Sequence, residues 1–163
     1  WVWLLYEKCF KIAPMDIHTD TVQARLRGVA IHPNSCEAFL EAGGKIIACR
    51  TTAEQAQALQ LCVGSVKQGL PPLYTLMTQL FRGVGISLVY AVLSHYHKGA
   101  LSARMVLAMY NEVATKLVEL EAHPADAIVL ALVEKVPIYI TRTVLAQMPD
   151  AREKMQTWLA KSV

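Results

Sequence analysis

The chain has 163 residues, 54% of them hydrophobic and 18% charged, with a net charge of +3 and a mean hydropathy of +0.32. That is one domain's worth of protein and too apolar to be disordered. No stretch reaches the ~18 consecutive apolar residues needed to span a bilayer, and the opening run Trp1–Tyr6 is shorter than a signal peptide's apolar region, so a soluble chain without a membrane span is expected.

A chain of this size buries roughly 68–70% of its unfolded surface, so its core needs neither disulfides nor a metal. Cys9, Cys36, Cys49 and Cys62 form no C-x-x-C pair and lie near no histidine doublet of zinc-finger spacing. They are expected to be buried reduced thiols, which implies a reducing, intracellular setting. The first residue is Trp rather than Met, so the start of translation is expected to lie outside the sequence. Processing, truncation and an omitted tail each account for that, and loss of a mitochondrial or plastid targeting peptide is one form of processing.

Residues before about Gln23 show no clear periodicity and are expected to form an N-terminal extension, 1–22. Gln23–Ile31 alternates polar and apolar residues. His32-Pro33-Asn34-Ser35 supplies a turn, and Cys36–Leu40 and Lys45–Arg50 flank Gly43-Gly44, which together predict a three-stranded meander. Thr51 or Thr52 is a candidate N-cap, with Glu54 in the first turn, for a helix over Ala53–Val66 that ends near Gly69 and Pro71-Pro72. Leu73–Arg82 reads as a second helix closed by Gly83, with Leu73, Leu76, Met77 and Leu80 on one face.

Ile86–His95 and Leu101–Ala108 read as strands around a Tyr96-His97-Lys98-Gly99 turn, and Ala114–Glu121 as a third. His123-Pro124-Ala125-Asp126 opens a broadly apolar helix through about Glu134, with Pro124 at or near its first position. Pro137–Thr141 is a short strand, followed by helical pieces over Thr143–Met148 and, capped by Asp150, over Asp150–Leu159. The order predicts an α+β fold with a mostly antiparallel or mixed sheet of six or seven strands packed with helices.

Charge is uneven along the chain. Lys45, Arg50, Lys67, Arg82, Lys98 and Arg104 face only Glu54 between positions 45 and 104. A basic face built from these six would meet phosphate, including RNA, and the plain alternative is a solvated surface. His95 and His97 stand two apart but lack a third ligand, and His18 and His32 are single loop residues. Trp1, Trp3 and Trp158 lie at the extremities, where docking of a tail on this domain or on a partner explains them better than base stacking.

The run Leu120-Glu-Ala-His-Pro-Ala-Asp-Ala-Ile-Val-Leu-Ala-Leu-Val-Glu-Lys-Val-Pro-Ile-Tyr-Ile140 resembles the signature D-x-R-P-S-D-A-I-x-L-A-L-x-x-x-x-P-I-[FY]-V of the bifunctional nuclease domain family. Upstream, Leu70-Pro-Pro-Leu-Tyr-Thr-Leu76 stands where the family has R-P-x-T-H-D-L, and Thr52–Leu59 resembles its E-x-x-A-L helix. The resemblance covers about residues 23–148, leaving 149–163 as a C-terminal helical extension. It implies a small α+β domain, often self-associating, able to cleave DNA and RNA.

The departures fall on polar positions. The family's Arg, Thr, His and Asp are Leu70, Leu73, Tyr74 and Thr75, and downstream its Asp, Arg and Ser are Glu121, His123 and Ala125. Glu54 and Asp126 remain as matched acids. Exchanging His for Tyr moves the reference pKa from about 6.5 to about 10, which removes a proton shuttle at neutral pH. The resemblance with these losses implies a catalytically degenerate domain acting as a structural or interaction subunit, in a ribonucleoprotein or organellar assembly, with other subunits or further copies as partners and no cofactor.

The alternative is an active nuclease using Glu54, Glu121, His123 and Asp126 as acids, base or ligands of Mg²⁺ or Mn²⁺. Glu54 and Asp126 are equally explained as charges that favour helix N-termini.

Overall fold

The alternation beginning near Gln23 forms strand β1 (Thr21–His32), which opens two residues earlier than the pattern suggests. In the computed structural model, which describes residues 20–32, 35–64, 72–110 and 115–161, β1 is followed by β2 (Ser35–Ala42) and β3 (Lys45–Thr51). The β2–β3 turn has φ of 55° at Gly43 and 76° at Gly44, the left-handed pair that matches the twist of a two-residue hairpin. Helix α1 (Ala53–Val63) ends at Gly64, short of the expected Val66. Helix α2 (Pro72–Gly83) begins on proline, whose fixed φ and missing N–H suit a first turn.

A second meander follows, made of β4 (Ile86–His97), β5 (Ala100–Tyr110) and β6 (Thr115–Ala122). Tyr96 and His97 pair with Leu101 and Ala100, so the expected four-residue turn is only Lys98-Gly99. Then come α3 (Pro124–Glu134), the four-residue β7 (Ile138–Thr141), α4 (Arg142–Gln147) and α5 (Arg152–Lys161). No helix among the described residues is long and apolar enough to cross a membrane.

The seven strands form one sheet in the order β3-β2-β1-β7-β4-β5-β6. Strand β7 joins the two meanders, antiparallel to β1 and parallel to β4, and every other pairing is antiparallel. The architecture is the expected α+β with a mixed sheet. One sheet face carries α1 and α3 over the main core, with Leu40, Ile47, Leu59, Leu93, Ile128 and Ile140 at 0% exposure. Ala56, Ala58, Ala127 and Ala131 are equally buried, and such small side chains let helices approach the sheet and each other closely. Cys36 and Cys49 are free buried thiols and Cys62 is half-buried, whereas Cys9 lies outside the described residues. Burial, with Glu37 nearby, pushes the Cys49 thiol up to about 12.

On the opposite face α5 packs over the β1–β3 half. Trp158 lies against Phe39 with ring centroids 6.2 Å apart, Lys154 Nζ pairs with Glu37 at 2.6 Å, and Ala151 N–H donates to the Ile46 carbonyl at 2.8 Å. Trp1, Trp3 and His18 lie outside the described residues. A Cβ on Gly28 would come within 3.2 Å of the Trp158 ring, so this glycine makes room for the indole. Trp158→Ala is expected to cost roughly 2 kcal/mol, about half the ~3–5 kcal/mol of a fully buried tryptophan. Gly28→Val is expected to mimic it by lifting the ring, with thermal denaturation as the readout for both.

Candidate functional site

Three helix ends converge where α1, α2 and α3 meet. Helix α1 begins with a capping box, in which Gln55 N–H donates to Thr52 Oγ1 at 3.2 Å while Gln55 Oε1 accepts from Thr52 N–H at 2.9 Å. That fold of the Gln55 side chain frees its amide nitrogen to reach α3. It donates to Asp126 Oδ1 at 2.8 Å and lies 3.3 Å from His123 Nδ1. His123 is the N-cap of α3, its Nδ1 accepting from Ala125 N–H at 3.3 Å, with Pro124 at the first helical position. These contacts assign Nδ1 as acceptor and leave the ring proton on Nε2.

From α2, the hydroxyl of Tyr74 donates to Asp126 Oδ1 at 2.6 Å. Tyr74 is 3% exposed. Burial first, then the hydrogen bond to Asp126 and the negative charges of Asp126 and Glu54, hold its hydroxyl far above the ordinary tyrosine range. The sign follows directly. A phenol held protonated in the folded state contributes stability that is complete below the unfolded pKa of about 10 and is lost as pH rises through the folded value. The melting temperature is therefore expected to fall above about pH 10, less steeply in Tyr74→Phe, and absorbance titration at 295 nm is expected to show Tyr74, together with Tyr90, which burial and then Glu119 also push up, ionising later in the native protein than in urea, with the Tyr74 share lost in Tyr74→Phe.

The four acids and bases read from the sequence are only partly brought together. His123 and Asp126 share the network. Glu54 is exposed in the first turn of α1, and its charge is felt at Tyr74. Glu121 stands apart. Val118 and Ala122 pack against the main core, so alternation along β6 turns Glu119 and Glu121 to the face opposite α3, where Glu119 meets Arg104 at 3.3 Å. Among the described residues no three of His, Cys, Asp and Glu stand together in a way that would hold a metal ion. An Mg²⁺ or Mn²⁺ ion here would find the Asp126 carboxylate and the His123 ring, and the neighbours supplied by α1 and α2 are an amide and a phenol.

The five of the six basic residues that are described do not build one face. Lys45 Nζ donates to the Leu145 carbonyl at 2.6 Å and to that of Met148, closing the C-terminal end of α4. Arg82 pairs with Glu134 of α3 at 3.6 Å on the helical side, while Arg104 pairs with Glu119 on the other. Arg50 is an exposed residue of β3, Lys98 sits in the β4–β5 turn, and Lys67 lies outside the described residues. Gln55 is the network residue that the sequence reading passed over, and its signal is the spacing Thr52-x-x-Gln55 of a capping box.

A search of the curated proteins finds no match. A family model described as the bifunctional nuclease domain matches residues 40–152. That span covers well over half of the chain and contains Gln55, Tyr74, His123 and Asp126. The chain therefore belongs to the bifunctional nuclease domain family.

Proposed function

We propose that this is a catalytically degenerate bifunctional nuclease domain that serves as a structural or interaction subunit of a larger assembly, with a ribonucleoprotein or an organellar complex as the expected setting. One observation carries the reading: the acid kept from the family signature, Asp126, accepts two short hydrogen bonds from neutral donors that fasten α1 and α2 to α3.

Phosphodiester hydrolysis needs an activated water, positive charge for the phosphoryl oxygens and a proton for the leaving oxygen. Tyr74 stands in the family's histidine position and keeps its proton far above neutral pH. Arg82 and Arg104 are engaged with Glu134 and Glu119. The interaction role draws support from α2, which exposes Leu73, Leu76 and Leu80 at 54–62%, at the spacing of one helical stripe, with Val84 just beyond.

Thermal denaturation with added divalent ions tests the reading. Millimolar MgCl₂ or MnCl₂ is expected to shift the melting temperature no more than KCl of equal ionic strength. A metal-specific rise that is absent in Asp126→Ala would overturn the proposal, because a ligand that binds the folded state stabilises it by mass action.

A further inference from the structure

We infer that the outward face of α2 is an interface on which a second copy of this chain lays its own α2, antiparallel. The inference rests on the interaction role proposed above and is independent of the loss of catalysis.

Helix α2 turns Tyr74, Thr78 and Phe81 inward, where each is buried. Its other side carries Leu73, Leu76 and Leu80 at 56%, 62% and 54% exposure. Spacings of three and four residues line these leucines along one seam, about 10 Å long at helical rise, which is the pattern of two helices packed side by side. Among the described residues, α1 and α5 each expose one large apolar residue, Val63 and Leu159, and α3 and α4 expose none. The seam does not end with the helix. Val84 is exposed, and the next residue, Gly85, accepts from the N–H of Tyr110, which is exposed as well. A contiguous apolar surface rimmed by polar groups marks a site of association.

Charge selects the occupant. From Pro72 to Phe81 the helix holds no charged residue, so nothing along the seam calls for a charged partner. Its two ends differ in sign. Near the N-terminal end stands the exposed Glu54, which precedes Gln55, and the Gln55 amide shares Asp126 with Tyr74. Arg82 stands at the C-terminal end with its side chain 73% exposed, and its contact with Glu134 at 3.6 Å leaves other guanidinium donors available. A two-fold axis beside Leu76 and Met77 sets Leu73 of each copy against Leu80 of the other and brings Glu54 of each toward Arg82 of the other. Acid then meets base twice, whereas a parallel pairing would set like charges together. The sheet edges offer a second copy less. Edge strand β3 carries Lys45 and Arg50, and edge strand β6 carries Lys116, Glu119 and Glu121, charges of the kind that keep edges from pairing.

Sedimentation velocity of the full chain, from nanomolar to high micromolar, tests the interface. The wild type is expected to pass from monomer to dimer as concentration rises, because three leucines make a short seam. Leu76→Asp is expected to stay monomeric with the circular dichroism of the wild type. Glu54→Arg and Arg82→Glu are each expected to weaken the dimer by about tenfold or more, through like charges at both ends. Mixed in equal amounts, the two variants are expected to restore it, since the mixed pair again sets acid against base. A wild type that is monomeric at every concentration would overturn the inference, whether α2 is covered by its own chain or by water. So would a dimer that Leu76→Asp leaves intact, single charge variants that dimerise like the wild type, or a mixture that stays monomeric. Should Leu76→Asp not fold, the mixing experiment decides alone. A monomer leaves the loss of catalysis to the divalent-ion experiment, and a metal-specific rise there leaves this interface standing.

Discussion

Asp126→Ala is expected to destabilise the domain by about 1–3 kcal/mol, because it leaves the buried Tyr74 hydroxyl without its acceptor. Tyr74 is 3% exposed, so water does not readily replace the lost partner. Tyr74→Phe removes the same bond from the other end and leaves the half-buried carboxylate with the Gln55 amide. A double-mutant cycle isolates the pair. The combined variant is expected to cost less than the sum of the single variants, by about 1.5–3 kcal/mol for a hydrogen bond to a charged group. Urea denaturation at pH 7 measures all four proteins, and additive single effects would show that Asp126 does not hold α2 through Tyr74.

Ile128→Ala is expected to cost about 2–5 kcal/mol, as much as Asp126→Ala or more. Ile128 is fully buried in the main core, as are Ala127, Val129 and Ala131 beside it, and Leu130 is 3% exposed. The signature segment of the family is thus largely a packing segment. Its apolar positions seat α3 on the sheet, and that demand persists whether or not chemistry does. Equilibrium unfolding checks the value, and a cost below 1 kcal/mol would mean that α3 is not clamped in the core as its burial indicates.

Elements were legible where one periodicity ruled. The strands announced themselves by alternation, and α3 by His123-Pro124-Ala125-Asp126 followed by the apolar run over 127–133. The central place of β7 was not legible, because four residues carry no record of which strands flank them. Its apolar Ile138 and Ile140 fit the interior of a sheet, but only the pairings with β1 and β4 put it there. The end of α1 was misjudged because Ser65–Val66 continues a helix-compatible pattern past Gly64, which caps the helix in an extended conformation.

For the site, sequence proximity misled at Glu121. It stands two residues from His123, but a strand alternates its side chains between faces, and the first turn of α3 lies on the other side of the sheet. Charge counting misled at Lys45, Arg82 and Arg104, whose partners Leu145, Met148, Glu134 and Glu119 are brought near by the fold or by strand register. The exchange of the family's histidine for Tyr74 was visible from the start. Its consequence, a phenol hydrogen-bonded to the retained acid Asp126, required the meeting of α2 and α3.

Cleavage of single-stranded RNA and DNA by the purified protein, with Mg²⁺ or Mn²⁺ and beside Asp126→Ala, tests that consequence most directly. No hydrolysis is expected from either protein, together with a lower melting temperature for the variant. Metal-dependent hydrolysis by the wild type, abolished in a variant that remains folded, would contradict it.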